Sequence, residues 1–443
     1  MRLTLVVHQF PPHYFTGTES YALAVGLELQ RRGHDVDVFS LDPRHTEEER
    51  LWRESREVVQ GLPVRRVTFW WRLGRDWQRM EYRHPRMAEL FAAHLRERGS
   101  DVVHSFHLRH LGADLLLATK AQQRGLVVSL MDFWFLCPRV ILMRSDGSAC
   151  DGPPDQGRGC LPCHAPELAA ELARHPAGHE LLALRGAAHG CSQPDHHLAS
   201  RVATFVDRPR YLRERLLAAN ALVAPTRFLA EVFAKNGVPR DRVHVHGYGI
   251  DTAGIAAGVA AARQPARPLT FGFFGSFVPH KSPHLLVEAM ARVRGDCRAI
   301  LRGRASDFPD YSGPLLATAA RDPRIAVLPP YERAELPRVL GEIDVLVVPS
   351  TWHENAPFVV LEARAAGLPV LASRFGGLTE VVDDGTDGEL FGPGDVAELA
   401  QRLQRLCDEP ERLQRYRAAV RPPKSLAKAV DEFEAHYHRA APR

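Results

Sequence analysis

The sequence predicts an α/β protein made of two Rossmann-like, doubly wound domains facing across a cleft, with a Cys-rich insertion in the first. Three observations carry this. Short Val/Leu-rich runs with little polar alternation recur along the chain, as strands buried on both faces of a parallel sheet require. Stretches with helical spacing lie between them, which is the rhythm of α/β layers. That rhythm breaks twice, at about 137–195 and at 253–268, where Cys, Gly, Pro and Ala displace the apolar runs. At 443 residues the chain has room for two or three cores.

The elements follow in order. The first half reads as strand 3–8, helix 19–32, strand 35–40, strand 64–69, helix 86–98, strand 101–105, helix 109–123 and strand 126–131. From Cys137 to about Asp195 regularity stops, apart from one expected helix at 165–187. A structureless stretch of that length implies an insertion with its own staple. The rhythm resumes with strand 202–206, helix 209–218, strand 221–224, helix 226–236 and strand 242–246. The Ala/Gly/Pro-rich break at 253–268 reads as a hinge, together with Gly247-Tyr248-Gly249. Beyond it come strand 269–274, helix 282–294, strands 297–302, 324–328 and 343–348, helix 357–366 and strand 369–372. The tail is helical, and Pro422-Pro423 starts its last segment at about 424–440. The expected domains are therefore 1–220 and 221–415, with a tail at 416–443.

Composition excludes several classes. Hydrophobic residues at 45% and charged residues at 25% are globular values, not those of a disordered, collagen-like or coiled-coil chain. Lys+Arg at 57 against Asp+Glu at 53 leaves +4, too small and too evenly spread for a nucleic-acid binder. The apolar run from Leu126 to Leu136 contains Asp132 and is too short to span a membrane. The apolar core of Met1–His8 is too short for a signal peptide, so a cytoplasmic location is expected. One segment allows peripheral contact with the inner face of a membrane. Arg65, Arg66, Trp70, Trp71, Arg72, Arg75, Trp77, Arg79 and Arg83 mix arginine with aromatics, as an anionic lipid surface would favour.

Ligands of open α/β sheets bind beyond the carboxyl ends of the strands, so motifs there carry weight. Strand 269–274 ends in Gly275-Ser276, and Lys281 follows just before a helix. A helix start offers free N–H groups to a phosphate, and lysine adds a point charge. Only five lysines occur in the chain, so this one stands out. Strand 343–348 leads into Pro349-Ser350-Thr351-Trp352-His353-Glu354-Asn355-Ala356-Pro357-Phe358, with Glu362 eight positions after Glu354. Paired glutamates suit sugar and ribose hydroxyls, because a carboxylate accepts two hydrogen bonds from a diol. A third strand end carries Gly376-Gly377 and Glu380.

These segments resemble the donor half of retaining glycosyltransferases of family 4, which have the two-domain GT-B fold. The likeness extends to Gly367-Leu368-Pro369-Val370, Ala224-Pro225-Thr226-Arg227-Phe228, Gly249-Ile250-Asp251, Gly17-Thr18-Glu19 and Asp101-Val102-Val103-His104. It implies a nucleotide-sugar donor, UDP- or GDP-linked, bound by Gly275, Ser276, Lys281, Glu354, Asn355, Ala356, Pro357, Phe358, Glu362 and Glu380. Within that set Lys281 binds the diphosphate, Glu362 the ribose and Glu354 the transferred sugar. On the acceptor side it implies Gly17, Glu19, His104, His107 and Asp132. His107 is the choice for the active-site histidine, and His104 is its alternative. The resemblance also implies that the last helix returns to the first domain. The acceptor would be a glycan, a lipid-linked molecule or a small molecule. No Asp-x-Asp motif stands in the expected place, so no catalytic metal is expected. The runner-up functions are a sugar-phosphate synthase or epimerase of the same fold, or a non-catalytic binding protein.

Three positions depart from the family pattern. Ser276 stands where an arginine is usual, with Arg302 or Arg304 as candidate substitutes; Thr16 replaces a glycine, and Met131 a histidine. The segment Asp132-Phe133-Trp134-Phe135-Leu136-Cys137-Pro138-Arg139 is similar to a subgroup bearing a Cys-rich insertion. Cys137, Cys150, Cys160 and Cys163 fall within 27 residues, with His164 adjacent and Cys191 further on. Their density and the Cys160-x-x-Cys163 spacing suit a structural zinc, with a redox pair or free thiols as alternatives. Cys297 and Cys407 read as core residues.

Overall fold

A computed structural model of the chain describes residues 1–42, 52–69, 77–174, 195–262 and 268–442. It divides into two compact units, the first comprising 1–225, 229–246 and 430–443, and the second 226–228 and 247–429.

The first unit is built on β1 (Arg2–Val7), β2 (Asp35–Leu41), β3 (Arg53–Val59), β4 (Leu62–Thr68), β5 (Val102–Ser105), β6 (Gly125–Ser129), β7 (Ala221–Ala224) and β8 (Val243–Val245). They pair in the order β3-β4-β2-β1-β5-β6-β7-β8. Every pair is parallel except the β3–β4 hairpin at one edge. Strand β1 lies at the centre, with Thr4 opposite Asp37 on one side and Val103 on the other. The second unit holds β9 (Leu269–Phe274), β10 (Cys297–Arg302), β11 (Ile325–Leu328), β12 (Val345–Val348), β13 (Val370–Ser373) and β14 (Gly388–Phe391), ordered β11-β10-β9-β12-β13-β14. All of its pairs are parallel. This is the predicted fold class, and the short apolar runs are its buried strands.

Four expectations are corrected. Val202–Val206 is not a strand. It belongs to one helix, Asp195–Leu216, whose Val202, Phe205, Leu212 and Leu216 are buried at helical spacing. Pro209 lies inside that helix, at the position where the sequence predicts a helix to start. The supposed hinge at 253–268 contains a helix, Thr252–Ala262, because alanine favours helix and Ile255 and Val259, four apart, bury the same face. Strands β7 and β8 hydrogen-bond into the first sheet, so the units divide at 246/247 rather than at 220/221. Finally, β3 and the helix Pro309–Ala319 were not anticipated. Strand β3 is a charged edge strand without an apolar run, and Gly313 and Pro314 interrupt the helix pattern. Residues 175–187 of the expected insertion helix and 263–267 of the hinge lie outside the described residues; Pro166–Ala173 is helical.

The final residues of the chain complete the first core. Tyr437 is fully buried, and its hydroxyl lies 2.7 Å from His104 Nδ1. The other ring nitrogen of His104 lies 2.8 Å from Ser129 Oγ. Arg32 adds ion pairs to Asp431 at 2.6 Å and Glu434 at 2.5 Å. Burial, with His436 nearby, pushes the His104 imidazole down from 6.5 to about 3. The folded state therefore holds it neutral where the unfolded chain would protonate it. Its contribution is complete above pH 6.5 and is lost as the pH falls toward 3, at about 1.4 kcal/mol per unit. Denaturation of the first unit followed across this range is expected to show that fall, and His104→Gln to reduce it. Tyr437→Phe is expected to cost about 1–3 kcal/mol at neutral pH by leaving a buried imidazole nitrogen unsatisfied.

Candidate active site

In the second sheet β9, β12 and β13 are neighbours, which sets their carboxyl-end loops side by side. Beyond β9 the chain turns at Gly275, whose N–H bonds the Arg302 carbonyl at 3.0 Å. A short turn, Pro279–Lys281, then presents Lys281 ahead of the helix Pro283–Met290. The loop after β12 is tied to this turn, with Thr351 N–H donating to the His280 carbonyl at 2.9 Å. Ser282 and Thr351 hydroxyls meet at 2.9 Å.

Glu354 is held in that loop by two donors, Ser350 Oγ at 2.9 Å and Trp352 Nε1 at 2.8 Å. Lys281 Nζ stands 3.6 Å from the same carboxylate oxygen. The pair thus unites the two motifs read from the sequence. Ser350 and Trp352 were quoted within the motif without a role; both orient its carboxylate.

The glycine pair after β13 explains itself through close approach. Gly377 N–H bonds the Glu354 carbonyl at 2.6 Å. A Cβ on Gly377 would lie 1.7 Å from the Asn355 carbonyl oxygen, and one on Gly376, where φ is +57°, 2.7 Å from that of Glu354. Asn355, Ala356 and Pro357 run from there into the helix Phe358–Ala365. Its N-cap residue is Pro357, which has no side-chain acceptor to cap the first turn. Phe358 stacks on Tyr248, with ring centroids 4.7 Å apart.

Other donor-side residues have specific partners. Glu362 is buried on that helix and is paired with Arg333, a residue sequence reasoning missed. Glu380 accepts the backbone N–H groups of Arg227, at 3.0 Å, and Phe228. Ser276 is exposed. Of its candidate substitutes, Arg302 is buried and bonds Glu342 at 2.7 Å, while Arg304 is exposed and 3.9 Å from Asp307.

In the first unit a second cluster gathers at the ends of β1, β5 and β6. His107 Nε2 lies 2.9 Å from Asp132, and its Nδ1 accepts the Arg109 N–H at 3.2 Å. That backbone bond puts the imidazole proton on Nε2, facing the carboxylate, so both ring nitrogens are engaged. Trp134 N–H fixes the other Asp132 oxygen at 2.8 Å. The His107 ring lies 4.0 Å from that of His8, whose Nε2 is 3.5 Å from Glu19 Oε1. Thr16 Oγ1 donates to the other Glu19 oxygen, just before Gly17 opens the helix Gly17–Arg31. Buried His8 Nδ1 and Glu19 Oε1 are left without a hydrogen-bond partner. Burial pushes the His8 imidazole well down, helped by His107, His110 and Arg109, and pushes the Glu19 carboxyl up. His8 was missed as a site residue. Its signal was its place at the carboxyl end of the first strand. His104 instead lies in the core, bonded as described above.

Arg65 is paired with Glu54 at 2.6 Å, and buried Arg66 with Glu57 and the Phe10 carbonyl. These two arginines are therefore committed within the unit and do not present a lipid-facing surface. Trp70, Trp71, Arg72 and Arg75 lie outside the described residues. No helix among the described residues is long and apolar enough to cross a membrane. Cys297 and Cys407 pack in the second core. Among the described residues no three His, Cys, Asp or Glu side chains are gathered closely enough to hold a metal ion. Cys191 lies outside them.

Two family models match the chain. Residues 16–154 match the glycosyl transferase 4-like domain, and 268–409 match the glycosyl transferases group 1. Each match lies within one unit, the glycosyl transferase 4-like domain in the first and the glycosyl transferases group 1 domain in the second. Among the chain's relatives is the D-inositol 3-phosphate glycosyltransferase of Mycolicibacterium smegmatis, 30% identical over 233 residues, 50% of this chain and 53% of that protein. The protein of the same description from Stackebrandtia nassauensis is 34% identical over 219 residues, 46% of this chain and 49% of its own. The chain thus spans about half the length of the curated relatives it matches. Among solved structures, Anabaena HepE in complex with UDP superimposes with a TM-score of 0.62 at 19% identity, covering 99% of this chain and 98% of that one. Sucrose-phosphate synthase from Thermosynechococcus elongatus gives 0.66 at 17%, covering 99% and 98%. These likenesses establish the GT-B fold of this chain.

The Gly377 contact yields a test of the second site's construction. Gly377→Ala is expected to destabilise the second unit by about 1–3 kcal/mol, read as a lower melting temperature, because the Glu354–Asn355 backbone must move aside.

Proposed function

We propose that this protein transfers a sugar from a nucleotide-sugar donor to an acceptor hydroxyl with retention at the anomeric carbon, in the biosynthesis of a glycan or glycolipid. The observation that carries the reading is the Lys281–Glu354 pair, 3.6 Å apart on loops from adjacent parallel strands, with Glu362 on the helix that follows. A cation beside a carboxylate at paired helix starts is what a diphosphate joined to a polyhydroxyl sugar requires. Relatives described as glycosyltransferases, and a structural neighbour holding UDP, support the same reading.

In the proposed step the bond between the anomeric carbon and the diphosphate oxygen breaks, and its electron pair leaves with the nucleotide. A bond from the acceptor oxygen forms on the same face. The hydroxyl proton passes to the departing phosphate oxygen, the group that gains negative charge as the bond breaks. Lys281 and the N–H groups of the following helix stabilise that charge, a contribution usually among the largest in catalysis. Glu354, oriented by Ser350 and Trp352, accepts the sugar hydroxyls. Glu362 takes the ribose diol and exchanges its Arg333 partner for it. On the first unit the acceptor hydroxyl is received by His8 and Glu19, whose buried Nδ1 and Oε1 atoms have no hydrogen-bond partner. His107 is a positioning residue that packs against His8, its own nitrogens being engaged by Asp132 and Arg109.

A panel of UDP- and GDP-sugars screened by thermal shift and product detection tests the reading. Stabilisation by one nucleotide class together with sugar transfer is expected, and no response to any donor would refute it. Lys281→Ala and Glu354→Gln are each expected to lower kcat about 10²- to 10³-fold with the fold retained. His8→Asn is expected to lower kcat/KM for the acceptor about tenfold while nucleotide affinity stays unchanged. Since Lys281 and the helix start carry the leaving-group charge, EDTA in a short assay is expected to leave turnover unaltered.

A further inference from the structure

The insertion after Cys137 is poor in the usual means of holding a fold. Its hydrophobic cluster comprises five buried residues, Leu161, Ala165, Leu168, Val202 and Phe205. Its backbone takes left-handed conformations at Val140 (φ 71°), Leu142 (φ 46°) and three residues in a row, Asp155 (φ 48°), Gln156 (φ 51°) and Gly157 (φ 98°). A β-branched valine and a leucine in that region are strained, and so few apolar contacts do not offset it.

The four cysteines are nevertheless brought together. From Cys137 the strained turn aims the backbone N–H groups of Arg139 and Leu142 at the Cys137 sulfur. A small hairpin follows, with Met143 paired to Ala149, and Cys150 N–H bonds the Leu142 carbonyl at 2.9 Å, returning Cys150 to the turn. Cys160 and Cys163 stand three apart on a helical turn and so share a face. All four, with His164, line one cavity of about 20 Å³. That is room for a single water-sized sphere, hence for one ion and not for an iron–sulfur cluster.

Arg208 supplies a further observation. It is buried, with Glu81, Cys137 and Cys160 near enough to act on its charge. Its Nη2 donates to the Trp134 carbonyl, while Nη1 has no hydrogen-bond partner. An unpaired buried guanidinium nitrogen calls for negative charge nearby. We infer that Cys137, Cys150, Cys160 and Cys163 bind one zinc ion as four thiolates, stapling the insertion. The paired N–H groups on one sulfur and Arg208 would stabilise the resulting dianionic centre. The four thiols are not gathered as a ligand set: that of Cys150 is 3.0 Å from the Gly152 carbonyl, to which it donates. Deprotonation on zinc binding removes that donor, so the bond is given up and the thiolate turns to the cavity.

Elemental analysis of the full chain, purified without chelator, is expected to give about one zinc per chain. Cobalt exchanged into the site is expected to show the charge-transfer and d–d absorption of tetrahedral cobalt thiolate. Cys150→Ser and Cys160→Ser are expected to lose the metal, and Cys407→Ser to keep it. Should either serine variant fail to fold, cobalt titration of the native chain decides. A metal-free native chain with no cobalt–thiolate absorption would overturn the inference. So would zinc retained by both variants, or an iron–sulfur chromophore.

Discussion

The structure depends on a constraint set by parallel pairing. Strands that run the same way must be joined by crossovers, so every strand delivers its carboxyl end to one edge of the sheet. In the second unit β9, β12 and β13 are adjacent, and three loops far apart in sequence meet there. They meet closely because Gly376 and Gly377 allow one backbone to lie directly on another. The Gly377–Glu354 bond then fixes the loop from which the Glu354 side chain reaches Ser350, Trp352 and Lys281. The side-chain contacts of Glu354 rest on that backbone contact.

The first unit applies the same rule to different chemistry. Its strand ends deliver His8, His107 and Asp132 in place of a lysine and glutamates, and burial pushes the His8 imidazole well below its ordinary range. His107 has both ring nitrogens engaged, whereas His8 Nδ1 has no hydrogen-bond partner. That distinction separates His107 from His8. His104, three residues before His107 and within β5, has both nitrogens satisfied inside the core by Ser129 and Tyr437. Three histidines at one end of a sheet thus have three different sets of partners, decided by the fold and not by residue type.

The insertion meets a different problem. A segment with a small apolar cluster cannot offset the entropy of ordering its own backbone, and cross-linking by a metal reduces that cost without a larger core. Its turn, hairpin and helical turn are each too short to persist alone.

Much of this was legible in the sequence. The buried strands announced themselves as apolar runs, because both faces of a parallel sheet exclude water. The candidate donor residues were read from their type and their position after those runs. Where local signals conflicted, the sequence misled: Pro209 disguised a helix, alanine-rich text looked like a hinge, and a charged edge strand gave no apolar signal. Hydrogen-bond partners were beyond its reach altogether, because a partner is set by which distant segments the fold brings within about 3 Å. That is why Arg333 beside Glu362, the isolation of His8, the burial of His104 and the convergence of four cysteines on one cavity appeared only in three dimensions. By itself the sequence determined which strands are buried, the two-sheet fold and the chemical types at the strand ends, since these follow from local polarity and spacing. Only the tertiary structure decided which of those groups are free to meet a ligand, since that depends on contacts made across the chain.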